Sequence, residues 1–211
     1  KVVDYVNRET NAGFDYDFFT LCWARRFTAY KRPMLLFEDI SKLKEIADKY
    51  GPLQIIYAGK AHPRDKEGKN LIKKIVNLSQ ELDENVNLVY LENYNIELAK
   101  DLVAGVDLWL NTPLPPHEAS GTSGMKCALN GVPQLSLLDG RWLEGFVPGK
   151  TGWSFKESHE MYDKLGKEIV QLYYNDKSEW QKLMQQTIVL NGSFFNASRM
   201  VKEYAKRAYG L

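Results

Sequence analysis

The sequence predicts an α/β fold in which a doubly wound, Rossmann-like parallel sheet is followed by C-terminal helices. Apolar segments of strand length alternate with amphipathic segments of helix length from residue 18 to about residue 155. The strand segments are apolar along their whole length, which is typical of strands that helices cover on both faces. Strands joined by helices in this rhythm use right-handed crossovers and run parallel. Ligands of such folds bind at the carboxyl ends of the strands.

The predicted elements follow one another along the chain. Six short apolar segments are predicted to be strands: 18–24, 53–59, 85–92, 106–111, 132–139 and 152–155. Four segments between them are predicted to be helices: 33–51, 69–83, 96–105 and 124–130. In the first helix, Leu36, Ile40 and Leu43 fall on one side, and Gly51 is expected to end it. Three more amphipathic segments are predicted to be helices on the flank of the domain: 158–175, 178–191 and 197–209.

The composition excludes several classes of partner. The 211 residues suit one larger domain, and a formal net charge of +1 gives no electrostatic reason to expect nucleic acid or a membrane surface. No apolar run could span a bilayer, and no Cys/His cluster has the spacing of metal ligands, so no metal is expected. Cys22 and Cys127 are expected to be buried, reduced thiols of an intracellular protein. The chain begins with Lys1 and has no recognisable signal peptide, so we expect a piece of a longer, cytoplasmic polypeptide.

Four cations follow the first predicted strand within eight residues: Arg25, Arg26, Lys31 and Arg32. Arginine binds phosphate through two parallel N–H donors, and lysine binds it as a point charge. A helix that begins near Pro33 would add its dipole. A solvated basic turn is the alternative. The position at the carboxyl end of a strand favours an anion site.

A run of small and hydroxylated residues, 120–124, lies between the fourth predicted strand and the next helix. Such a loop can bind phosphate through backbone N–H groups that lack partners within the helix, although the pattern is neither a P-loop nor GxGxxG. Lys126 follows directly and is flanked by apolar residues. A partly desolvated lysine can form a Schiff base with an aldehyde, and a phosphate-binding loop beside it fits pyridoxal phosphate. An ordinary loop with a surface lysine is the alternative.

Polar residues also follow the second and third predicted strands. Gly59 and Lys60 can line the rim of a cleft, although a solvent-exposed loop is favoured beyond them. Glu92 and Tyr94 can supply hydrogen bonds at the upper edge of the sheet. Asn95 or its neighbour Asn93 is expected to cap the helix that follows.

Two carboxylates, Asp139 and Glu144, follow the fifth predicted strand. They can accept hydrogen bonds from a polyol, or they can cap the turn at Gly140. The residues alone do not decide between these two roles.

Four segments, taken in order, resemble the α-glucan (glycogen, starch and maltodextrin) phosphorylases, which are retaining enzymes of the GT-B fold. These segments are ARRFTAYKR, IIYAGKAHP, LVYLENYNIELAKDLVAGVDLWLN and EASGTSGMKCALNG. The segment SLLDGRWLEGF resembles the continuation in the short bacterial and archaeal branch. The resemblance covers roughly residues 18–155, and its most specific part is EASGT…MK.

The resemblance implies roles for five residues near the cofactor. Lys126 aligns with the lysine that forms the Schiff base with pyridoxal phosphate. Arg26 and Lys31 align with the pair that holds the reacting phosphate. Arg25 stands where many members have a lysine that helps to bind the cofactor phosphate. Tyr94 matches a residue close to the cofactor.

The resemblance also implies roles for the loop before Lys126. Gly121, Thr122 and Ser123 correspond to the loop around the cofactor phosphate. Glu118, Ser120 and Gly121 match residues that hydrogen-bond the hydroxyls of the glucosyl unit.

Two positions depart from the family pattern. Ser123 and Gly124 stand where the long-chain enzymes have a Gly-Asn pair before Met, so the backbone contacts of this loop are expected to differ. Asn95 stands where they have Arg, which leaves one cationic contact in question.

The implied activity is that of EC 2.4.1.1, the reversible phosphorolysis of a terminal α-1,4-linked glucose to glucose 1-phosphate. The implied partners are inorganic phosphate, glucose 1-phosphate, α-1,4-glucan and the N-terminal lobe of the same enzyme. The full-length enzyme can also be a homo-oligomer. Residues 1–17 are then expected to be a lead-in from the other lobe. Residues 18–155 are expected to form the domain that binds cofactor and phosphate, and residues 156–211 to form helices packed on this domain. The fragment alone is expected to be inactive, because one lobe cannot exclude water from a two-lobed cleft.

Two alternatives are kept. The first is a nucleotide-sugar-dependent glucan synthase of the same fold, although Lys126 stands where many of those enzymes have a second acidic residue. The second is a non-catalytic carbohydrate-binding or regulatory domain.

Overall fold

The computed structural model describes residues 1–82 and 85–211. Its six strands form one sheet in the order β3-β2-β1-β4-β5-β6, and every neighbouring pair is parallel. The strands are β1 (Phe19–Ala24), β2 (Leu53–Ala58), β3 (Val86–Leu91), β4 (Leu108–Asn111), β5 (Gln134–Leu137) and β6 (Gly152–Phe155). The strand order reverses its direction between β1 and β4, as in the doubly wound dinucleotide-binding folds. The predicted fold class is therefore confirmed.

Helices cover both faces of this sheet. They are α1 (Val2–Thr10), α2 (Ile40–Tyr50), α3 (Lys66–Leu78), α4 (Ile96–Gly105), α5 (Ser123–Leu129), α6 (Trp142–Gly145), α7 (Ser158–Lys164), α8 (Gln171–Asn175), α9 (Lys177–Thr187) and α10 (Ala197–Arg207). A π-helical segment, Leu165–Val170, joins α7 to α8, and another, Ile188–Gly192, follows α9. None of the helices in the two described ranges has the length and the apolar character that crossing a bilayer requires.

The alternation of side chains along β1 explains why its apolar run is continuous. Phe19, Leu21 and Trp23 contribute to one buried cluster, together with residues of α2, α7 and α9. Cys22 and Ala24 contribute to the second buried cluster, on the opposite face, together with residues of α1, α4 and α5. Both faces of the strand are thus removed from water, which favours apolar residues on both, and the one polar residue of β1, Thr20, is hydrogen-bonded to Gln54.

The predicted helix 33–51 is wrong at its beginning. A short 3-10 turn, Leu35–Phe37, comes first, and α2 begins only at Ile40. Asp39 causes this, because its carboxylate accepts a hydrogen bond from the backbone N–H of Lys42 (2.9 Å) and caps the helix there. No helix N-terminus therefore lies near Pro33 to add its dipole to the basic run.

Three other differences concern helices. The predicted helix 69–83 runs from Lys66 to Leu78, because Asp65 caps its beginning through the N–H of Gly68 (2.8 Å); residue 83 lies outside the described residues. The short α6 and the N-terminal α1 are not predicted by the sequence pattern. Helix α1 packs on the domain through Val2 and Val6, which are buried in the second cluster.

The C-terminal helices are joined to the sheet through a tyrosine hydroxyl. Tyr174, at the end of α8, accepts a hydrogen bond from the backbone N–H of Phe19 (2.9 Å) and donates one to the carbonyl of Pro52 (2.8 Å). Its ring packs where Gly51 has no side chain, and Gly51 has a φ of +131°. The start of β1, the start of β2 and α8 thus meet at one oxygen atom.

We expect Tyr174→Phe to lower the free energy of unfolding by about 1–3 kcal/mol, because the substitution leaves the buried N–H of Phe19 without a partner. Denaturant unfolding followed by circular dichroism measures this change. Tyr209→Phe, at a tyrosine that is 72% exposed, is the matched control and should leave the stability unchanged. Equal stability of the two variants would contradict the assigned role.

A half-buried carboxylate, Asp107, lies between α4 and β4. It accepts a hydrogen bond from the backbone N–H of Thr20 (2.8 Å), and burial raises the pKa of Asp107 to about 6. The usual value for aspartate is about 3.9. The folded chain therefore binds a proton more tightly than the unfolded chain, and this group makes the fold less stable as the pH rises from about 4 to about 6.

Asp107→Asn should remove this part of the pH dependence. At pH 7, we expect the free energy of unfolding of the variant to be higher than that of the parent by about 1–3 kcal/mol. Near pH 4, the two free energies of unfolding should be equal. Urea unfolding at a series of pH values checks this. Asp17→Asn, at an exposed carboxylate, is the control. A difference that does not change with pH would refute the expectation.

Candidate functional site

The loops after β1 and β4 lie side by side, because these strands are neighbours where the strand order reverses. The chain thereby brings the basic segment 25–32 against the segment 112–122. Ligands of open α/β sheets bind in this crevice, outside the carboxyl ends of the strands.

A fully buried hydroxyl, that of Thr112, joins the two loops. It accepts a hydrogen bond from the indole N–H of Trp23 (2.9 Å) and donates to the backbone carbonyl of Lys31 (2.7 Å), with the carbonyl of Arg32 3.0 Å away. Trp23 is itself fixed by stacking on Tyr57 (5.2 Å between ring centroids). The position of Lys31 is therefore determined from within the core.

Arg32 is part of the same connection. Its Nε donates to the carbonyl of Thr112 (3.1 Å) and its Nη2 to that of Pro113 (2.9 Å). The N–H of Leu114 donates in turn to the carbonyl of Tyr30 (2.7 Å). The sequence groups Arg32 with the anion-binding cations, but the structure uses it to hold the second loop.

Arg25 lies deepest among the cations of the basic run. Its Nη2 donates to the carbonyl of Leu110 (2.7 Å), and its guanidinium lies 5.1 Å from the centroid of the Trp23 ring. Its Nε is buried and has no partner within the described residues. Burial lowers the pKa of Arg25, and the nearby carboxylate of Glu118 opposes that shift. A cation with a free N–H donor in this position suits an anionic ligand.

A small pocket of about 10 Å³ opens beside Arg25. It is lined by residues from the loop after β1, from the ends of β4 and β5 and from the segments that follow these two strands: Arg25, Asn111, Pro113, Glu118, Ser120, Gly121, Ser136, Asp139, Arg141 and Trp142. Four of the predicted site residues, Arg25, Glu118, Ser120 and Gly121, are thus brought together.

Lys31 and Glu118 form an ion pair across the two loops. Their side chains are only 12% and 11% exposed, so solvent screens the pair less than a surface pair. The Lys31 ammonium also lies 4.8 Å from the centroid of the Tyr30 ring. The lysine that the resemblance assigns to phosphate and the glutamate that it assigns to sugar hydroxyls therefore neutralise each other.

Asp139 holds the loop that carries Glu118. Its Oδ2 accepts a hydrogen bond from the backbone N–H of Glu118 (2.9 Å), and its Oδ1 accepts one from the N–H of Gly140 (2.9 Å). It is 8% exposed, whereas Glu144 is exposed. Of the two roles left open by the sequence, Asp139 takes the structural one.

Sequence reasoning missed Arg141. Its Nε donates to the carbonyl of Gly121 (2.9 Å), its backbone N–H donates to the carbonyl of Ser120 (2.9 Å), and its Nη2 contacts the Oε1 of Gln134. It is 4% exposed, and burial lowers its pKa to about 10, so it is charged at neutral pH. The available signal was a cation between Gly140 and an aromatic residue, directly after a buried strand.

Lys126 lies on α5 and is exposed. Its neighbours Cys127 and Ala128 are buried under the helix, but Leu129 is 55% exposed. The expectation of a partly desolvated amine is therefore wrong for this chain, and Lys126 does not line the pocket beside Arg25. Burial raises the pKa of the Cys127 thiol and leaves it protonated.

The remaining predicted residues do not line this pocket. Tyr94 is half-buried and packs against the second cluster, and burial raises its pKa. Arg26 and Thr122 are exposed, and Ser123 is half-buried at the start of α5. Asn95 caps α4 by accepting a hydrogen bond from the N–H of Leu98 (3.0 Å), so the capping prediction is confirmed.

We expect Asp139→Ala to lower the free energy of unfolding by about 1–3 kcal/mol, because the partly buried N–H groups of Glu118 and Gly140 lose their acceptor. Thermal and urea unfolding measure the change. Glu144→Ala removes an exposed carboxylate five positions away and should have no comparable effect. If both substitutions lower the free energy of unfolding by the same amount, Asp139 does not hold the loop.

Comparisons with known proteins agree on one family. Residues 1–145 match the model of the Phosphorylase family, described as carbohydrate phosphorylase. The chain is 42% identical to the glycogen phosphorylase of Aquifex aeolicus, with 92% of this chain and 30% of that protein aligned. It is 40% identical to the maltodextrin phosphorylase of Thermococcus litoralis, with 89% of this chain and 24% of that protein aligned.

A third relative has a lower sequence identity, but its alignment covers a similar share of this chain. The glycogen phosphorylase of Mycobacterium tuberculosis is 35% identical, with 93% of this chain and 25% of that protein aligned. The chain therefore spans between about a quarter and a third of the length of these relatives. The resemblance that the motifs suggested is confirmed: this chain belongs to the carbohydrate phosphorylase family.

Proposed function

We propose that this chain is the cofactor-carrying C-terminal part of an α-glucan phosphorylase, which transfers a terminal α-1,4-linked glucose to inorganic phosphate. The observation that carries the proposal is the pocket where the strand order reverses, which brings Arg25, Glu118, Ser120 and Gly121 together in a chain of this family. The relatives named as glycogen and maltodextrin phosphorylases support the class of substrate.

Two features of the loops support pyridoxal phosphate as the cofactor. Arg25 has a buried Nε without a partner in the described part of the chain, which suits the phosphate of the cofactor. Gly121 has a φ of +81°, so the loop can turn its backbone towards an anion where a side chain would be strained. We assign Arg25, Gly121, Thr122 and Ser123 to the cofactor phosphate and Lys126 to the covalent attachment.

Pyridoxal phosphate would supply, when bound, a phosphate group that can donate and accept a proton. Tyr94 is proposed to contact the cofactor. Its hydroxyl stays protonated at neutral pH, because burial raises the pKa of Tyr94. It can therefore donate a hydrogen bond to an anionic partner.

The chain's own cations hold the substrate phosphate. Phosphorolysis forms a bond between an oxygen of hydrogen phosphate and the anomeric carbon and breaks the glycosidic bond. The glycosidic oxygen takes up the proton that the phosphate gives up, and the shortened glucan leaves. Arg26 and Lys31 are proposed to bind the phosphate and to stabilise the negative charge of the transition state. Glu118, with Ser120 and Gly121, is proposed to bind the sugar hydroxyls.

The ion pair between Lys31 and Glu118 connects these two roles. Phosphate beside Lys31 competes with Glu118 for the ammonium group, and sugar hydroxyls give the released carboxylate new hydrogen-bond donors. Because both side chains are largely buried, removing the partner of only one of them would leave an unpaired charge, which costs free energy. The arrangement favours binding of phosphate and sugar together.

Binding of pyridoxal phosphate to the chain tests the proposal. We expect an absorbance band of the lysine-bound cofactor and, after borohydride reduction, an adduct that peptide mapping locates at Lys126. Lys126→Ala should abolish both signals, whereas Lys150→Ala, at another exposed lysine, should preserve them.

Three outcomes would contradict the proposal. A band that survives in Lys126→Ala refutes the assigned attachment. Binding of UDP-glucose or ADP-glucose in place of the cofactor favours a glucan synthase. Binding of oligosaccharide alone favours a non-catalytic carbohydrate-binding domain.

A further inference from the structure

Arg141 is the most deeply buried cation at the pocket, and the roles that the resemblance implies leave it out. It connects three parts of the chain: the start of α6, the loop before α5, and Gln134 at the start of β5. Its two bonds to the loop end on the carbonyls of Ser120 and Gly121, the residues assigned to the sugar and to the cofactor phosphate.

The shape of the guanidinium matches this task. Its Nε and Nη2 point in fixed directions, and they reach the carbonyl of Gly121 and the Oε1 of Gln134 at the same time. Its charged face lies 5.5 Å from the ring centroid of Trp142 and 5.4 Å from that of Phe195. A lysine, with a single nitrogen on a flexible stem, cannot reproduce this geometry.

Gly124 provides the space that Arg141 occupies. A Cβ at position 124 would lie 1.6 Å from the Nη2 of Arg141 and 2.0 Å from the Oε1 of Gln134, so any side chain there must displace one of them. Gln134 also donates through Nε2 to the carbonyl of Gly124 (3.1 Å). The packing of Arg141 and Gln134 thus leaves no room for a side chain at position 124.

We propose that Arg141 is a positioning residue that sets residues 120–124 for binding of the cofactor phosphate and the sugar, with Gly124 as its required steric partner. The role rests on the proposed function, because it concerns the same site. The Arg141 side chain acts through the carbonyl of Gly121 and through Gln134, and it is not proposed to touch the substrate.

Affinity for pyridoxal phosphate tests the role. We expect Arg141→Met to raise the dissociation constant about tenfold or more, since the charge-assisted hydrogen bonds of the side chain to the Gly121 carbonyl and to Gln134 are lost. Arg141→Lys should fall between Arg141→Met and the parent. Arg64→Met, at an exposed arginine on a distant loop, is the control and should bind as the parent does. All titrations are made at a temperature at which near-UV circular dichroism shows each variant folded.

Hydrogen exchange gives a readout that does not depend on the cofactor. Peptides that cover residues 117–124 should exchange faster in Arg141→Met than in Arg64→Met, whereas peptides from β1 and β2 should be unchanged. Unchanged exchange in 117–124 overturns the proposal, as does parental cofactor affinity in Arg141→Met. If the parent itself binds no cofactor but the loop still loosens, the proposed function fails and the positioning of the loop by Arg141 stands.

Gly124→Ala tests the steric partnership. It should weaken cofactor binding in the parent, because the new methyl displaces the guanidinium. In the Arg141→Met background the same substitution should cost less, since the closest atom in the clash is gone. If Gly124→Ala raises the dissociation constant by the same factor in both backgrounds, the two positions are independent, and this part of the proposal is overturned.

Discussion

The hydroxyl of Thr112 is the interaction on which the geometry of the site depends. It lies between the indole of Trp23, which belongs to the core, and the backbone of Lys31, which belongs to the site. A buried hydroxyl with both donor and acceptor satisfied is stable, and a variant that lacks it leaves two buried polar groups without partners. The core thereby fixes where the cations of the β1 loop stand relative to the loop after β4.

The charges around the pocket are balanced within a small volume. Arg25, Lys31 and Arg141 bring three cations, while Glu118 and Asp139 bring two carboxylates. Asp139 is occupied by backbone N–H groups, and Glu118 is occupied by Lys31. Arg25 and Arg141 each keep one buried N–H without a partner in the described chain. The pocket therefore has donors in excess, which is the polarity that phosphate and sugar oxygens require.

Much of the fold could be predicted because it depends on local apolar patterns. All six strands and the doubly wound class follow from continuous apolar runs separated by helices. What could not be predicted depends on contacts between distant residues. The late start of α2 depends on the cap at Asp39. The hydrogen bonds of Arg32 depend on a loop that lies eighty residues further along the chain. The role of Arg141 depends on the space left by the missing side chain of Gly124. The exposure of Lys126 likewise depends on which face of α5 meets the sheet.

The two cysteines have a consequence for experiments on this chain. Cys22 lies in β1 and Cys127 in α5, and both belong to the cluster on the same face of the sheet. Both thiols are fully buried, and burial raises the pKa of each, so both are protonated and unreactive in the folded chain. A thiol reagent can reach Cys127 only when α5 separates from the sheet. The native sequence thus contains its own chemical probe for opening of the helix that carries Lys126, without an introduced label.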